Sequence, residues 1–187
     1  MSDPRRDAVR GSLQGLARRL LDAAEDRMVK RRYLRPPGAL PEVGFLAACT
    51  RCGLCAEACP PKAIIHVPTD GGLAAGTPYL DPDTQPCTLC PDMPCATACP
   101  TEALTLPPAR WSGYRLGALE LLPERCITFR DEPCGACADA CPVGPAALVM
   151  DAAGHPVLRP EGCTGCGACV VACIATPRAL RLTPAEG

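Results

Sequence analysis

Aromatic side chains are nearly missing from this chain of 187 residues: one Trp, three Tyr and two Phe. Aromatics carry much of the apolar area in ordinary cores, so a large hydrophobic core cannot be assembled from this inventory. Histidine is almost as scarce. His66 and His155 stand alone, and no carboxylate partner for either can be inferred, which leaves substrate acid–base catalysis without support. Long apolar runs are lacking too. Arg18, Arg19, Asp22, Glu25 and Asp26 interrupt every candidate near the N-terminus, whereas a secretory signal needs about 7–15 uninterrupted apolar residues and a membrane span about 20. Without that run, the pair Arg5-Arg6 does not make a twin-arginine leader. The expectation is a cytoplasmic chain, with periplasmic export alongside a signal-bearing partner as the alternative. In a reducing compartment, clustered thiols mean metal or redox chemistry more often than disulfides.

Proline, glycine and cysteine are what the chain has instead, at 23, 17 and 16 residues. Pro and Gly at this level make loops, and small domains short of core are commonly tied together by disulfides or metals. All sixteen cysteines fall into four groups of four. Cys49, Cys52, Cys55 and Cys59 lie in CTRCGLCAEACP; Cys87, Cys90, Cys95 and Cys99 lie in CTLCPDMPCATACP, where the middle gap widens to four residues. Cys126, Cys134, Cys137 and Cys141 lie in CITFRDEPCGACADACP, where the first gap widens to seven; Cys163, Cys166, Cys169 and Cys173 lie in CTGCGACVVACI.

The first group is the C-x2-C-x2-C-x3-C-P run with which bacterial ferredoxins hold [4Fe–4S] clusters. Three thiolates in a tight loop converge on three irons of one cube. The fourth, three residues on and held on a helical turn, points away and in two-cluster ferredoxins ligates the other cluster. Gly53, Gly135, Gly165 and Gly167 sit inside the loops, where backbone must pass close to a cluster. Zinc is usually held by separated C-x2-C pairs and explains a three-thiol run repeated four times poorly. A C-x2-C loop is redox-labile rather than a structural staple, and a thiol-rich metal store would need no strands.

Strands are expected beside each group. Ala63–Val67, Ala103–Leu106, Ala147–Met150 and Ala179–Leu182 follow the four motifs, while Leu119–Leu122 and Pro156–Arg159 precede the third and fourth. Strand, cysteine loop, short helix, strand is the half-unit of a two-cluster ferredoxin, so four half-units make two modules. The fold class is α+β: tandem bacterial-type ferredoxin modules with short strands and helices around four [4Fe–4S] clusters. In front of them, Val9, Leu13, Leu16, Leu20, Ala24 and Met28 recur at helical spacing. Residues 1–35 are expected to form a basic amphipathic helix, and residues 36–187 the four-cluster domain. Such a helix suits peripheral membrane association or partner docking, or packing on the protein's own body.

The stretches RPPGAL-x3-GFLAACTRCGLCAEACP (Arg35–Pro60), GTPY (Gly76–Tyr79), PCTLCPDMPCATACPTEAL (Pro86–Leu104), the long-gap third motif and CTGCGACVVAC together resemble the ferredoxin-type NapG/MauM family. The resemblance implies four cubane clusters that pass electrons between a quinol-oxidising membrane protein and a terminal oxidoreductase, with no substrate site in the chain itself. It also implies that the first motif pairs with the fourth and the second with the third. One cluster would then take Cys49, Cys52, Cys55 and Cys173, and its neighbour Cys163, Cys166, Cys169 and Cys59, in an outer module. An inner module would hold Cys87, Cys90, Cys95 and Cys141, and Cys126, Cys134, Cys137 and Cys99. The residues themselves leave the sequential pairing open. Residues 1–35 carry ten Lys/Arg against five Asp/Glu, and the remainder nine against fifteen. An acidic body with a basic extension suits steered, transient contact with redox proteins and not with nucleic acid. The runner-up reading is an assembly or regulatory factor with structural or sensing clusters. Trp111, Tyr114 and Tyr79 are candidates to shield clusters from water.

Overall fold

The structure, a computed structural model, describes residues 33–185. The amphipathic helix expected at the N-terminus lies outside the described residues, except for its last three positions. Those three are not helical. Leu34 bridges Leu80, and Leu34 and Arg35 are buried, so the body begins ahead of the boundary expected at Pro36.

The elements are α1 (Glu42–Ala48), α2 (Leu54–Ala58), β1 (Ile64–His66), β2 (Pro78–Leu80), α3 (Pro94–Thr97), β3 (Gly117–Leu121), α4 (Ala136–Asp139), β4 (Leu148–Met150), β5 (Pro156–Leu158), α5 (Ala168–Ala172) and β6 (Leu180–Pro184). None of these helices exceeds seven residues. Helices this short do not persist in water alone, so tertiary packing has to hold them. Accordingly α2 packs on α3, and α4 on α5. The expected strands after the first, third and fourth motifs and before the third and fourth are present, within two residues at their ends. After the second motif, Leu104 makes only an isolated bridge, to Ala39.

Three two-stranded antiparallel sheets organise the chain. β1 pairs with β2 as a hairpin between the first and second motifs, with Ile64 opposite Leu80. β4 pairs with β5 as a hairpin between the third and fourth, with Leu148 opposite Leu158. The third sheet joins β3 to β6, from Gly117 opposite Pro184 to Leu121 opposite Leu180. β3 and β6 thus close a module around the third and fourth motifs, and the Ala39–Leu104 bridge closes a smaller counterpart around the first and second. Each module has one hairpin inside and one closing pair outside. The modules are sequential, not nested as outer and inner.

The core is small and divided, as the shortage of aromatics requires. Phe45, Met93, Ile64, Leu80, Leu104 and Leu116 bury together in the first module, and Leu148, Val170 and Leu180 in the second. Cysteines belong to both groups: Cys55, Cys59 and Cys95 in one, Cys169 in the other. Arg35 is buried among them at 1% exposure. Its Nη2 donates to Glu42 Oε1 at 2.6 Å and its Nε to Glu42 Oε2 at 3.1 Å. Nη1 donates to Thr77 Oγ1 at 2.8 Å and to the Pro78 carbonyl at 2.9 Å. The guanidinium stands 4.6 Å from the Phe45 ring centroid, close enough for a cation–π contact. One side chain therefore ties the chain's entry into the body to α1 and to β2.

Arg35→Ala removes the buried guanidinium that Glu42, Thr77 and the Pro78 carbonyl share. Because removing one partner of a buried pair costs about 3–5 kcal/mol, a denaturant melt of the cluster-loaded protein is expected to show a loss of that order. A loss below about 1 kcal/mol, the range of a surface pair, would contradict this role.

Candidate iron–sulfur cluster sites

All sixteen cysteines are free thiols, and the fold gathers them into four quartets around four hollows. Site I brings together Cys49, Cys52, Cys55 and Cys99. Site II brings together Cys59, Cys87, Cys90 and Cys95. Site III has Cys141, Cys163, Cys166 and Cys169, and site IV has Cys126, Cys134, Cys137 and Cys173. Every quartet takes three sulfurs from one motif and the fourth from its neighbour in sequence. The pairing of first motif with fourth and second with third is thereby overturned: Cys59 faces Cys87, Cys90 and Cys95, not the fourth motif, and Cys99 and Cys173 return to sites I and IV. The physical reason lies in the hairpins. β1–β2 and β4–β5 each fold one motif back on the next, and closing such short loops costs less entropy than closing the whole chain.

The local geometry behind each quartet follows from residue type. Gly53 at φ 80° and Gly167 at φ 89° start α2 and α5 in the left-handed region, which glycine enters at no steric cost. Their turns swing Cys55 and Cys169 inward on the first helical residues. Gly135 has φ −143°, so that backbone is open to any residue. Arg51 straps the first loop: its Nε and Nη2 donate to the carbonyls of Ala75 and Leu73 at 2.9 and 3.0 Å. Trp111 lines site II and donates from Nε1 to the Cys90 carbonyl at 2.8 Å. Tyr114 accepts from the Gly38 N–H, and Tyr79 packs edge-on against Tyr33. His155 stacks on Phe129 with ring centroids 4.2 Å apart, a packing contact.

A [4Fe–4S] cluster fits these quartets by the chemistry of the donor set. Each hollow is faced by four thiols, three from one loop and one from the next, with apolar side chains around them, and an all-thiolate set is what holds iron–sulfur clusters. Donors are aimed at the sulfurs. The Leu104 N–H reaches Cys99 Sγ and the Ala179 N–H reaches Cys173 Sγ, both at 3.4 Å, and the Thr128 hydroxyl stands 3.2 Å from Cys126 Sγ. The sequence reading named none of these partners, nor Arg51. For Thr128 the long gap of the third motif was a signal that something is held there.

Burial sets the proton chemistry. It pushes the Cys95 and Cys169 thiols up to about 12, and those of Cys55, Cys87 and Cys137 up to about 11. Cys99 goes the other way. Burial opposes its ionisation, but the amides of Leu104, Thr101 and Ala103 and the Thr101 hydroxyl hold its pKa below the ordinary thiol value.

The quartets form a row. Cys95 of site II lies within electrostatic reach of Cys55 of site I, and Cys169 of site III within reach of Cys137 of site IV. Between the middle two, the Cys87 N–H donates to the Cys166 carbonyl at 3.0 Å. The order is I, II, III, IV, with Cys52 exposed at one end and Ile174, beside Cys173, exposed at the other.

Paired ferredoxin-type modules carrying cysteine quartets in a row define an iron–sulfur electron-transfer protein. Comparison with known families agrees. Residues 48–103 match the 4Fe-4S dicluster domain, and residues 126–144 and 160–173 match 4Fe-4S binding domains. The first match spans the first and second motifs as one unit, in line with the sequential pairing. The chain is 41% identical over 162 residues to the methylamine utilization ferredoxin-type protein MauM of Methylophilus methylotrophus, covering 82% of this chain and 71% of that one. It is 37% identical over 167 residues to MauM of Paracoccus denitrificans, covering 84% and 74%. Identity to the ferredoxin-type protein NapG of Escherichia coli K12 is 35% over 162 residues, covering 81% and 70%. The chain belongs to the MauM/NapG family of ferredoxin-type proteins. No solved structure matches it.

Two outcomes follow for the sites. Cys59→Ala and Cys87→Ala are expected to remove the same electron paramagnetic resonance signal, and Cys163→Ala a different one; a shared loss between Cys59→Ala and Cys163→Ala would restore the nested pairing. Iron must displace the protons of the buried Cys55, Cys87, Cys95, Cys137 and Cys169 thiols, which burial keeps bound up to about 11 to 12, so cluster uptake strengthens as pH rises toward that range. Anaerobic reconstitution at about pH 8.5 should therefore incorporate more iron than at about pH 6, and equal uptake would contradict the raised thiol pKa values.

Proposed function

We propose that each of the four quartets ligates one [4Fe–4S] cluster, and that the chain relays single electrons along the row from one end site to the other. The observation that carries this reading is the Cys87 N–H to Cys166 carbonyl bond. It links a cysteine of site II to one of site III through backbone alone, so the modules do not stand as two separate two-cluster carriers. As the family resemblance implies, the donor is a quinol-linked, membrane-associated redox protein and the acceptor a terminal oxidoreductase. Docking is transient at the two exposed ends and is steered by charge.

The seam between modules is built for close approach. The Leu116 N–H donates to the Thr164 carbonyl at 2.8 Å, and Arg178 Nη1 pairs with Asp83 Oδ1 at 2.9 Å. Gly167 sits at φ 89°, and a Cβ there would stand 2.8 Å from the Cβ of Pro82 in the first module. No side chain fits at that point. When loaded wild-type protein is reduced and mixed anaerobically with an oxidised redox partner, all four clusters are expected to reoxidise. Failure of any cluster to turn over with a partner would remove the relay reading. Gly167→Ala adds a left-handed strain of about 1–2 kcal/mol to that crowding. It is expected to slow reoxidation of the two clusters in the module farther from the partner, while those nearer it keep their rate.

A further inference from the structure

We propose that the Thr128 hydroxyl sets the reduction potential of site IV, raising it by donating to Cys126 Sγ, and that the widened seven-residue gap of the third motif serves to hold it there. The inference rests on the cluster reading of site IV and needs no partner. Thr128 and Cys126 are both buried, at 6% and 9% exposure, with Oγ1 and Sγ 3.2 Å apart. Between a thiol and a hydroxyl either atom could donate. A sulfur that ligates iron is a thiolate and can only accept, so the proton has to be on Oγ1. One-electron reduction places more negative charge on the cluster and its sulfurs. A fixed donor therefore stabilises the reduced state more than the oxidised one, and in a dry site the effect is larger.

The widened gap is shaped around this contact. Ile127–Arg130 forms a single 3-10 turn that ends at Asp131, in the left-handed region at φ 62°. The Phe129 N–H returns to the Cys126 carbonyl and the Glu132 N–H to the Ile127 carbonyl, each at 3.2 Å. Phe129 turns outward, 44% exposed, and lies flat on the His155 ring, while Thr128 next to it turns inward.

Sites I and II lack an equivalent, while in site III the buried Thr164 hydroxyl, without another partner, faces Cys166 and favours its thiolate. Thr88 stands 3.5 Å from Cys90 Sγ in an exposed position, and Thr101 3.8 Å from Cys99 Sγ, both longer and wetter. The amide donors on Cys99 and Cys173 have the same length in sites I and IV and do not distinguish them. Thr128 is what separates site IV from its counterpart in the first module.

The test is a redox titration of the loaded, full-length chain followed by electron paramagnetic resonance, with iron counted in each variant. In Thr128→Val, which keeps the shape and removes the donor, one midpoint should move to more negative potential while three stay in place. At fixed potential, the reduced-to-oxidised ratio of that cluster should fall roughly three- to tenfold, a tenfold change corresponding to about 59 mV for one electron. Thr128→Ser should restore it. Four unchanged midpoints with full iron would overturn the proposal, as would a serine variant that behaves like valine. If Thr128→Val sheds iron, Thr128→Ala provides the same measurement, and iron loss in both would overturn it by making the hydroxyl an assembly requirement. Because the titrant is chemical, a relay that fails with every partner leaves this result standing.

Discussion

Everything in this protein depends on the exchange of fourth cysteines between adjacent motifs. Cys59 crosses to site II and Cys99 returns to site I; Cys141 crosses to site III and Cys173 returns to site IV. Each exchange ties two loops that have little else to hold them, since the helices run four to seven residues and the sheets have two strands each. In an ordinary domain of this length a continuous apolar core would do that. Here the apolar residues form separate small groups, and cysteines are members of them. Metal binding that draws sulfurs from distant loops is folding free energy in its own right, which is how a chain with so few aromatics can still specify one structure.

Raised thiol pKa values and the clasp belong to the same physics. Burying four sulfurs together disfavours four thiolates, through loss of hydration first and mutual repulsion second. A guest carrying positive iron relieves both. The polar groups around the quartets agree with that: backbone N–H donors on Cys99 and Cys173 and a hydroxyl on Cys126 point at the atoms that carry negative charge when iron is bound. Arg35 plays the corresponding part away from sulfur. It is a buried cation satisfied by one carboxylate, one hydroxyl and one carbonyl, and it ties the segment ahead of the first motif to the hairpin behind it.

The two modules meet where each is least tolerant of bulk. Gly167 lies against Pro82 of the first module, and nearby Gly165 approaches Gly117 of its own module with no room for a Cβ. Gly165 and Gly167 read in sequence as cluster-loop residues. The closest neighbour of Gly167 is Pro82 of the other module, so the seam and the site III loop are one piece of structure. A single backbone hydrogen bond there joins the inner quartets, and the row of four follows from it.

What the sequence determined alone was local. Thiol spacing named all sixteen candidate ligands and the three-plus-one habit of each motif, because a ligand run is a property of consecutive residues. The strands beside the motifs were legible for the same reason, as short apolar segments. Which motif lends its cysteine to which was not legible, since spacing is identical under either pairing. The hairpin β1–β2 held the missing clue, but Pro78–Leu80 was read as part of a family signature and not as a strand. Tertiary structure decided the pairing through the registers of β1–β2 and β4–β5. It also decided the order of the row through the Cys87–Cys166 contact, and the partner of Cys126 through a turn that places Thr128 inward. Each of these joins residues far apart in the chain or on opposite sides of a turn, and only packing settles which of them meet.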